Sequence, residues 1–219
     1  MMTIPVLTID GPSGAGKGTV SRAVAKQLGW HYLDSGSIYR SLAIAVLQQQ
    51  TELSDVAAVV KVAEAMQLEF ECGDELIVKL NGTDITAQLG TETTGNTASI
   101  IAAYPDVRQV LLQKQKDFKK LPGLVADGRD MGTVVFPDAA SKVFLTASAD
   151  ERAKRRYKQL IEKGISANLD RITQEIEARD KRDQERKAAP LVAAKDALTI
   201  DSSNLNINQV IEAVLSLVR

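Results

Sequence analysis

Short apolar runs punctuate the chain, and between them apolar residues recur at helical spacing. Val6-Leu7-Thr8-Ile9, His31-Tyr32-Leu33-Asp34, Leu124-Val125-Ala126-Asp127, Lys142-Val143-Phe144-Leu145-Thr146 and Ala197-Leu198-Thr199-Ile200-Asp201 read as core strands. After the first run, Val20, Ala23, Val24 and Leu28 predict a helix from Thr19 to Leu28, stopped by Gly29. Ser35-Gly36-Ser37 opens a helix through about Gln49, and Ser54 is the expected cap of another that buries Val56, Val59, Val60, Ala63 and Met66. Helices are expected at about Thr91–Ala103 and at Asp106–Lys120, the second capped by Asp106 with Gln109 three residues on. Ser148 and Glu151 form a predicted capping box for a charged helix to Lys163, which Gly164 ends. A loop from Ile165 to Asn168 leads to a second charged helix, Asp170 to about Lys187, broken by Pro190. Asn206 caps the last helix, whose Ile207, Val210, Ile211, Val214, Leu215 and Val218 make one apolar stripe.

The pattern changes between Leu68 and Leu89. Leu68-Glu69-Phe70-Glu71 and Leu76-Ile77-Val78-Lys79-Leu80 alternate or nearly so, punctuated by Gly73-Asp74 and Asn81-Gly82. Asn-Gly between apolar runs is a hairpin signal, so a small antiparallel meander is expected inside an otherwise α/β chain. Short apolar strands alternating with helices imply a parallel sheet covered on both faces.

Composition narrows the class. A chain of 219 residues suits one α/β domain with insertions, and 44% hydrophobic residues is ordinary for a globular protein. The net charge of −1 gives no global field for nucleic acid or an anionic membrane. There is no long apolar span, and a strand starting by Val6 is expected to leave no room for a signal peptide. Cys72 is the only cysteine, which excludes an intrachain disulfide and suits the cytoplasm. His31 and Cys72 lack partner motifs and read as ordinary residues; a structural zinc site is not expected.

Gly11-Pro12-Ser13-Gly14-Ala15-Gly16-Lys17-Gly18-Thr19 carries the sharpest chemistry. A glycine-rich loop between a strand and a helix turns its backbone N–H groups inward as an anion cradle, and the helix adds its positive end. Lys17 supplies a mobile charge for β- and γ-phosphates. Gly18 stands where Ser or Thr is usual, with Thr19 following.

Three other stretches sit where open α/β sheets bind ligands. Asp127 ends a core strand and can organise Mg²⁺ beside the loop, or serve as a turn or cap aspartate. Asp127-Gly128-Arg129-Asp130 is either a phosphate-binding cluster or a self-neutralising turn. In Asp34-Ser35-Gly36-Ser37-Ile38-Tyr39-Arg40, Ser35 and Tyr39 share a helix face and Arg40 can reach a second phosphate; a Ser cap with a packed Tyr is the other reading. From Ala149 to Lys187 lie twelve of the chain's 27 Lys and Arg residues against nine acids, with Arg179, Asp183 and Arg186 on one stripe. These are solvated helices with i,i+4 ion pairs, or a mobile lid that closes over phosphates and excludes water.

Together these residues resemble the nucleoside monophosphate kinases, and specifically the bacterial cytidylate kinases. The matching stretches are GPSGAGKGT at 11–19, DSGSIYR at 34–40, ADGRDMGTVVFPDA at 126–139, RD-x-RD at 179–183 and Ala189-Pro190-Leu191. The resemblance implies a P-loop fold: a five-stranded parallel sheet with helices on both faces, a small antiparallel insert and a helical lid. The core would be about 1–34, 105–149 and 189–219, the monophosphate-binding insertion about 35–104 with its meander at 68–89, and the lid about 150–188. The implied reaction is ATP + (d)CMP ⇌ ADP + (d)CDP with Mg²⁺, in a cytoplasmic protein, expected to be a monomer. Carried over by position, Lys17, Asp127, Arg129 and Arg186 would be catalytic, with Thr19 and Asp127 near the metal. Arg40 and Arg129 would bind the acceptor phosphate, Arg186 the acceptor or transferred group, and Ser35, Arg179 and Asp183 the sugar or phosphate, with Tyr39 also at the substrate. Ser99, Arg108 and Asp130 would read the base. Two alternatives are a P-loop kinase for another small phosphorylated acceptor and a non-catalytic P-loop switch; against the switch, the chain has no Asn-Lys-x-Asp guanine-reading motif.

Overall fold

A computed structural model of the chain describes residues 4–72, 76–162 and 164–218. The first half runs β1 (Val6–Asp10), α1 (Lys17–Leu28), β2 (His31–Asp34), α2 (Ser35–Gln48), α3 (Val56–Ala65), β3 (Leu68–Cys72), β4 (Leu76–Leu80), β5 (Thr83–Asp84), α4 (Thr86–Leu89), α5 (Glu92–Ile101) and α6 (Pro105–Lys116). The second half runs β6 (Leu124–Gly128), a π-helical turn (Met131–Val135), β7 (Ser141–Thr146), α7 (Ala149–Glu162), α8 (Leu169–Glu185), β8 (Leu198–Asp201) and α9 (Ile207–Leu215).

Five strands form a parallel sheet in the order β2-β6-β1-β7-β8, and β3-β4-β5 form a separate antiparallel sheet. Strand alternation sends successive side chains to opposite faces. Leu33, Leu124 and Ala126 pack with α2, α3, α5 and α6 in one core. Leu7, Ile9, Val125, Val143, Leu145 and Ile200 pack with α1 and α9 in the other. The insert thus sits on one face of the sheet and the two ends of the chain on the other. Helices α7 and α8 share a small core of their own, Ala153 with Ile172 and Ile176.

The parallel register decides what meets at the carboxyl edge. Asp34 in β2 stands level with Asp127 in β6, which stands level with Ile9 in β1. Asp10 follows Ile9 directly, so the sheet ends in a row of carboxylates.

Several local expectations need correction. Asp106 is not the cap of α6: Tyr104 precedes Pro105 at the helix start, and Asp106 lies in the first turn. Proline fixes φ for helix entry and needs no N–H partner, so it displaces the cap by two residues. Asp55 rather than Ser54 caps α3, accepting from the Ala58 N–H. Residues 86–89 close the meander as a helical turn rather than a strand. Ser148 does accept from the Glu151 N–H, but its own N–H goes to Ser203 and Glu151 takes Arg155, so only half of that capping box forms. The second charged helix stops at Glu185, short of Pro190. The expected Gly73-Asp74 turn and Lys163 lie outside the described residues. At Asn206 the full reciprocal box is present with Gln209.

Gly11 shows why the loop after β1 must begin with glycine. Its φ is +149°, and a Cβ there would lie 1.9 Å from the Leu145 carbonyl oxygen. Gly11→Ala is therefore expected to cost about 2–3 kcal/mol from backbone displacement alone. Urea unfolding would show it, and a variant within experimental error of the parent would contradict the close approach.

Candidate active site

The P-loop curls over the end of β1 and feeds α1. Gly16 precedes the helix at φ +92°, and no side chain caps the first turn. That leaves uncapped N–H groups and the positive helix end facing the loop's interior. Ser13 to Thr19 line a cleft of about 720 Å³, with Arg22, Asp34, Arg40, Asp127 and Arg129 across from them. Gly11 and Pro12 lie buried beneath. Lys17 donates to the Pro12 carbonyl at 2.9 Å, so its ammonium is folded back onto the loop.

Burial pushes the Lys17 ammonium down and the Asp127 carboxyl up, each towards its neutral form. The Arg129 guanidinium also depresses Lys17, while Asp127, Asp10 and Asp34 support its charge. Tyr32 donates to Asp127 Oδ2 at 3.3 Å. That carboxylate oxygen lies 3.5 Å from where a Cβ on Gly18 would be, so Asp127 sits against the start of α1. Thr19 is exposed at the same cleft. A hydroxyl and a carboxylate are hard oxygen donors that suit a Mg²⁺ ion retaining water and phosphate ligands. No cluster of three or more His, Cys, Asp or Glu with metal-site geometry occurs among the described residues, so the donor set fits that shared mode and not an all-protein cage.

A second, smaller cavity of about 50 Å³ adjoins the first. Ser35, Tyr39, Arg40, Ser99, Arg108, Arg129, Asp130, Arg179, Asp183 and Arg186 all line it, drawn from α2, α5, α6, the β6 end and α8. Arg40, Arg129 and Arg179 border both spaces. Spacing explains the convergence: Ser35 and Tyr39, and Arg179 and Asp183, are i,i+4 pairs, each on one helix face. Arg108 is ion-paired with Asp130 and lies 5.7 Å above the Tyr39 ring, a cation–π contact. Asp183 accepts from Arg129 Nε at 3.0 Å. Ser35 gives its hydroxyl to Gln115 at 2.7 Å, so it is already bonded inside the protein. Arg186 donates to the Ala189 carbonyl.

Like charge dominates this cavity. Burial, then Arg129 and Arg40, lower the Arg179 pKa to about 9. Burial likewise lowers Arg40 and Arg186. Burial works against the Arg129 charge, but Asp183, Asp127 and Asp34 together outweigh it and push the value up. Among the described residues, seven buried side-chain polar atoms lack a partner, and Tyr39 Oη, Ser99 Oγ, Arg179 Nε and Arg186 Nη2 all belong to this cavity's lining. Buried polar atoms are rarely left so; a polar ligand would satisfy them.

Three groups escaped the sequence reading. Asp34 caps α2 by accepting from the Ser37 N–H and hydroxyl, and also lines the cleft. Its place at a strand end directly before Ser35 was the available signal. Asp10 accepts from the Met131 and Gly132 N–H groups, both at 2.8 Å, and so fixes the turn that follows Asp130. Arg152 joins Ser13 to Asp180. These last contacts are tertiary and had no local pattern.

The sheet order with a P-loop at its carboxyl edge is the fold of the P-loop kinases. Comparison with known proteins sharpens the class. The cytidylate kinase family profile matches residues 7–219, and the chain belongs to that family. A cytidylate kinase from Methylococcus capsulatus (strain ATCC 33009 / NCIMB 11132 / Bath) is 57% identical over 99% of this chain and 98% of its own. Those from Aeromonas salmonicida (strain A449) and Klebsiella pneumoniae (strain 342) are each 54% identical, over 97% and 99% of this chain and 93% and 96% of theirs. Among solved structures, a gluconokinase from Sinorhizobium meliloti 1021 aligns at 15% identity and a TM-score of 0.49, covering 99% of this chain and 92% of that one.

Asp10 gives the site a pH signature. Burial, against the two N–H bonds, raises its pKa from 3.8 to about 6. The folded form then holds its proton more tightly than the unfolded chain. Stability from this group is fully present below about pH 4 and is lost as pH rises through about 6, by about 1–3 kcal/mol. Asp10→Asn would remove that slope, although it swaps one acceptor for a donor at every pH. Between about pH 4.5 and about pH 7.5 the variant's unfolding free energy should gain on the parent's by that amount. A gap that does not change with pH would refute the shift.

Proposed function

We propose that this chain transfers the γ-phosphate of ATP to CMP or dCMP, with the donor's triphosphate in the P-loop cleft and the acceptor in the adjoining cavity. The observation that carries this reading is the trio Arg40, Arg129 and Arg179 bordering both spaces. Guanidinium groups between two phosphate sites neutralise the repulsion between donor and acceptor and stabilise charge on the transferring group. An ionised acceptor phosphate is already a nucleophile, so positioning dominates and no general base is required. Lys17, now bonded to Pro12, would turn to the β- and γ-phosphates. Thr19 and Asp127 would hold Mg²⁺, directly or through water, and the ion would offset the negative charge of the phosphates.

Asp130 and Arg108 supply the base recognition. Asp130 accepts from the exocyclic amine of cytosine, and Arg108 donates to its O2 and N3. Ser99 adds a hydroxyl that has no internal partner. Uracil presents a carbonyl and an N–H where those groups need the reverse, leaving buried groups unsatisfied at about 1–3 kcal/mol each. Arg186, Arg179 and Asp183 approach the acceptor from α8, with Tyr39 and Ser35 from α2.

A 50 Å³ cavity cannot hold a nucleotide; small-molecule sites usually span about 300–1,000 Å³. Admission of the acceptor therefore needs the cavity to widen, and movement of α8 away from Arg129 would widen it. This supports reading 150–188 as a lid and 35–104 as the monophosphate-binding insertion.

An acceptor panel with ATP and Mg²⁺, read as ADP release, tests the assignment. CMP or dCMP should exceed UMP by about tenfold or more in kcat/KM; equal rates for all acceptors would sink it. Asp130→Ala should raise the CMP KM about 10–100-fold while the ATP KM stays within about twofold. Equal effects on both nucleotides would remove Asp130 from base reading. Lys17→Ala should lower kcat by about a thousandfold with the circular dichroism spectrum unchanged, because transition-state charge loses its nearest cation.

A further inference from the structure

Arg152 lies in the first turns of α7, buried at 4% exposure, and all of its reach is used. Its Nε donates to the Ala147 carbonyl at 2.9 Å, Nη1 to the Ser13 carbonyl at 3.0 Å, and Nη1 with Nη2 grip Asp180 at 3.0 and 2.5 Å. One guanidinium thus joins the end of β7, the P-loop and the lid helix.

Each contact has a consequence. A peptide unit is planar and trans, so its C=O and N–H point in opposite directions. With the Ser13 carbonyl held towards Arg152, the Gly14 N–H points the other way, towards the cleft that Gly14 lines. Arg152 Cβ lies 3.2 Å from where a Cβ on Gly14 would be, so the loop rests directly on this side chain. On the far side, Asp180 is the neighbour of Arg179 and precedes Asp183 by one turn. Gripping Asp180 sets the rotation and height of the α8 face that lines the acceptor cavity.

We propose that Arg152 and Asp180 are positioning residues that tie the shape of the donor loop to the placement of α8, so that each nucleotide favours binding of the other. The inference rests on the functional reading above. Lysine cannot replace this arginine, because an ammonium has no planar fork to hold a carbonyl and both carboxylate oxygens together.

The test is isothermal titration of CMP with and without a saturating non-hydrolysable ATP analogue, beside steady-state kinetics and thermal unfolding. The parent should bind CMP about fivefold or more tightly with the analogue present. Asp180→Asn, which keeps shape but removes the charge, should reduce that factor below about twofold and lower kcat about tenfold, with CMP affinity alone within about twofold. Arg152→Lys should give the same loss of coupling and raise the ATP KM, because the Ser13 carbonyl is released. A parent that turns over CMP but shows no coupling overturns the proposal. So do variants that lose only thermal stability while retaining coupling and kcat. Arg152→Lys decides the matter if Asp180→Asn does not fold. A parent inactive with CMP under all conditions would instead overturn the functional reading.

Discussion

Like charges held close together at the carboxyl edge of the sheet are the constraint on which this structure depends. Two unit charges about 4 Å apart interact by about 4 kcal/mol near a protein surface. Arg40, Arg129 and Arg179 depress or oppose one another here, and the Asp34 and Asp10 charges oppose that of Asp127. Neither set would assemble in a flexible chain. The strands beneath are apolar on both faces and paired in fixed register, so the carboxylates are placed by packing that does not depend on their charge. The arginines are then balanced in part by those carboxylates and in part by Asp183 on α8. What stays unbalanced is the affinity for a polyanion. A site of this kind is destabilising when empty and gains most from its ligand, as functional sites commonly do.

The insert and the charged helix pair serve that edge in different ways. Helices α2, α5 and α6 are tied to the sheet through a large shared core, with Leu42, Ile101 and Leu111 fully buried. Residues they contribute, such as Tyr39, Ser99 and Arg108, are therefore held firmly. Among the described residues, helices α7 and α8 share Ala153, Ile172 and Ile176 as buried apolar contact, with Ala149, Leu160 and Ala167 half-buried against them. Their attachment to the rest is largely polar, through the Arg129–Asp183 and exposed Arg171–Glu92 ion pairs and through hydrogen bonds from Arg152 to the Ser13 carbonyl and from Arg155 to Ser202. Ion pairs in partial contact with water are easily exchanged for other partners. On the proposed reading of this pair as a lid, the element that moves is the one with the least buried hydrophobic surface, as expected for mobile elements.

Sequence alone made the core strands, the P-loop and the cap at Asn206 legible, because each carries its signature within a few residues. The ten residues expected at an acceptor site could be named by position in a family pattern, and the structure gathers them around one cavity. What was not legible was made by distant partners. The π-helical turn at Met131–Val135 is fixed by Asp10, more than a hundred residues earlier in the chain. Gly132 permits it, since a Cβ there would sit 2.8 Å from the Thr8 hydroxyl oxygen. The cap at Asp106 was misassigned because Pro105 changes how that helix begins. Arg152 looked like one of many charges on a solvated helix, and only the packing of α7 on α8 shows that it is buried.

Base selectivity, on the proposed reading, follows from how Arg108 and Asp130 stand to each other. They are bonded to each other through one Asp130 oxygen, Oδ2, with both side chains nearly buried. A buried pair of this kind is costly to separate, because each partner would be left charged and unmet. Cytosine does not demand separation. Its amine can meet the other carboxylate oxygen while the arginine, which has several donors, turns one towards O2 or N3. Uracil offers the carboxylate only an oxygen and the arginine an N–H. Its binding would set two like partners face to face without relieving the pair. The discrimination therefore needs no clash with the wrong base and no special shape: it comes from a pre-existing bond that only one pyrimidine can share.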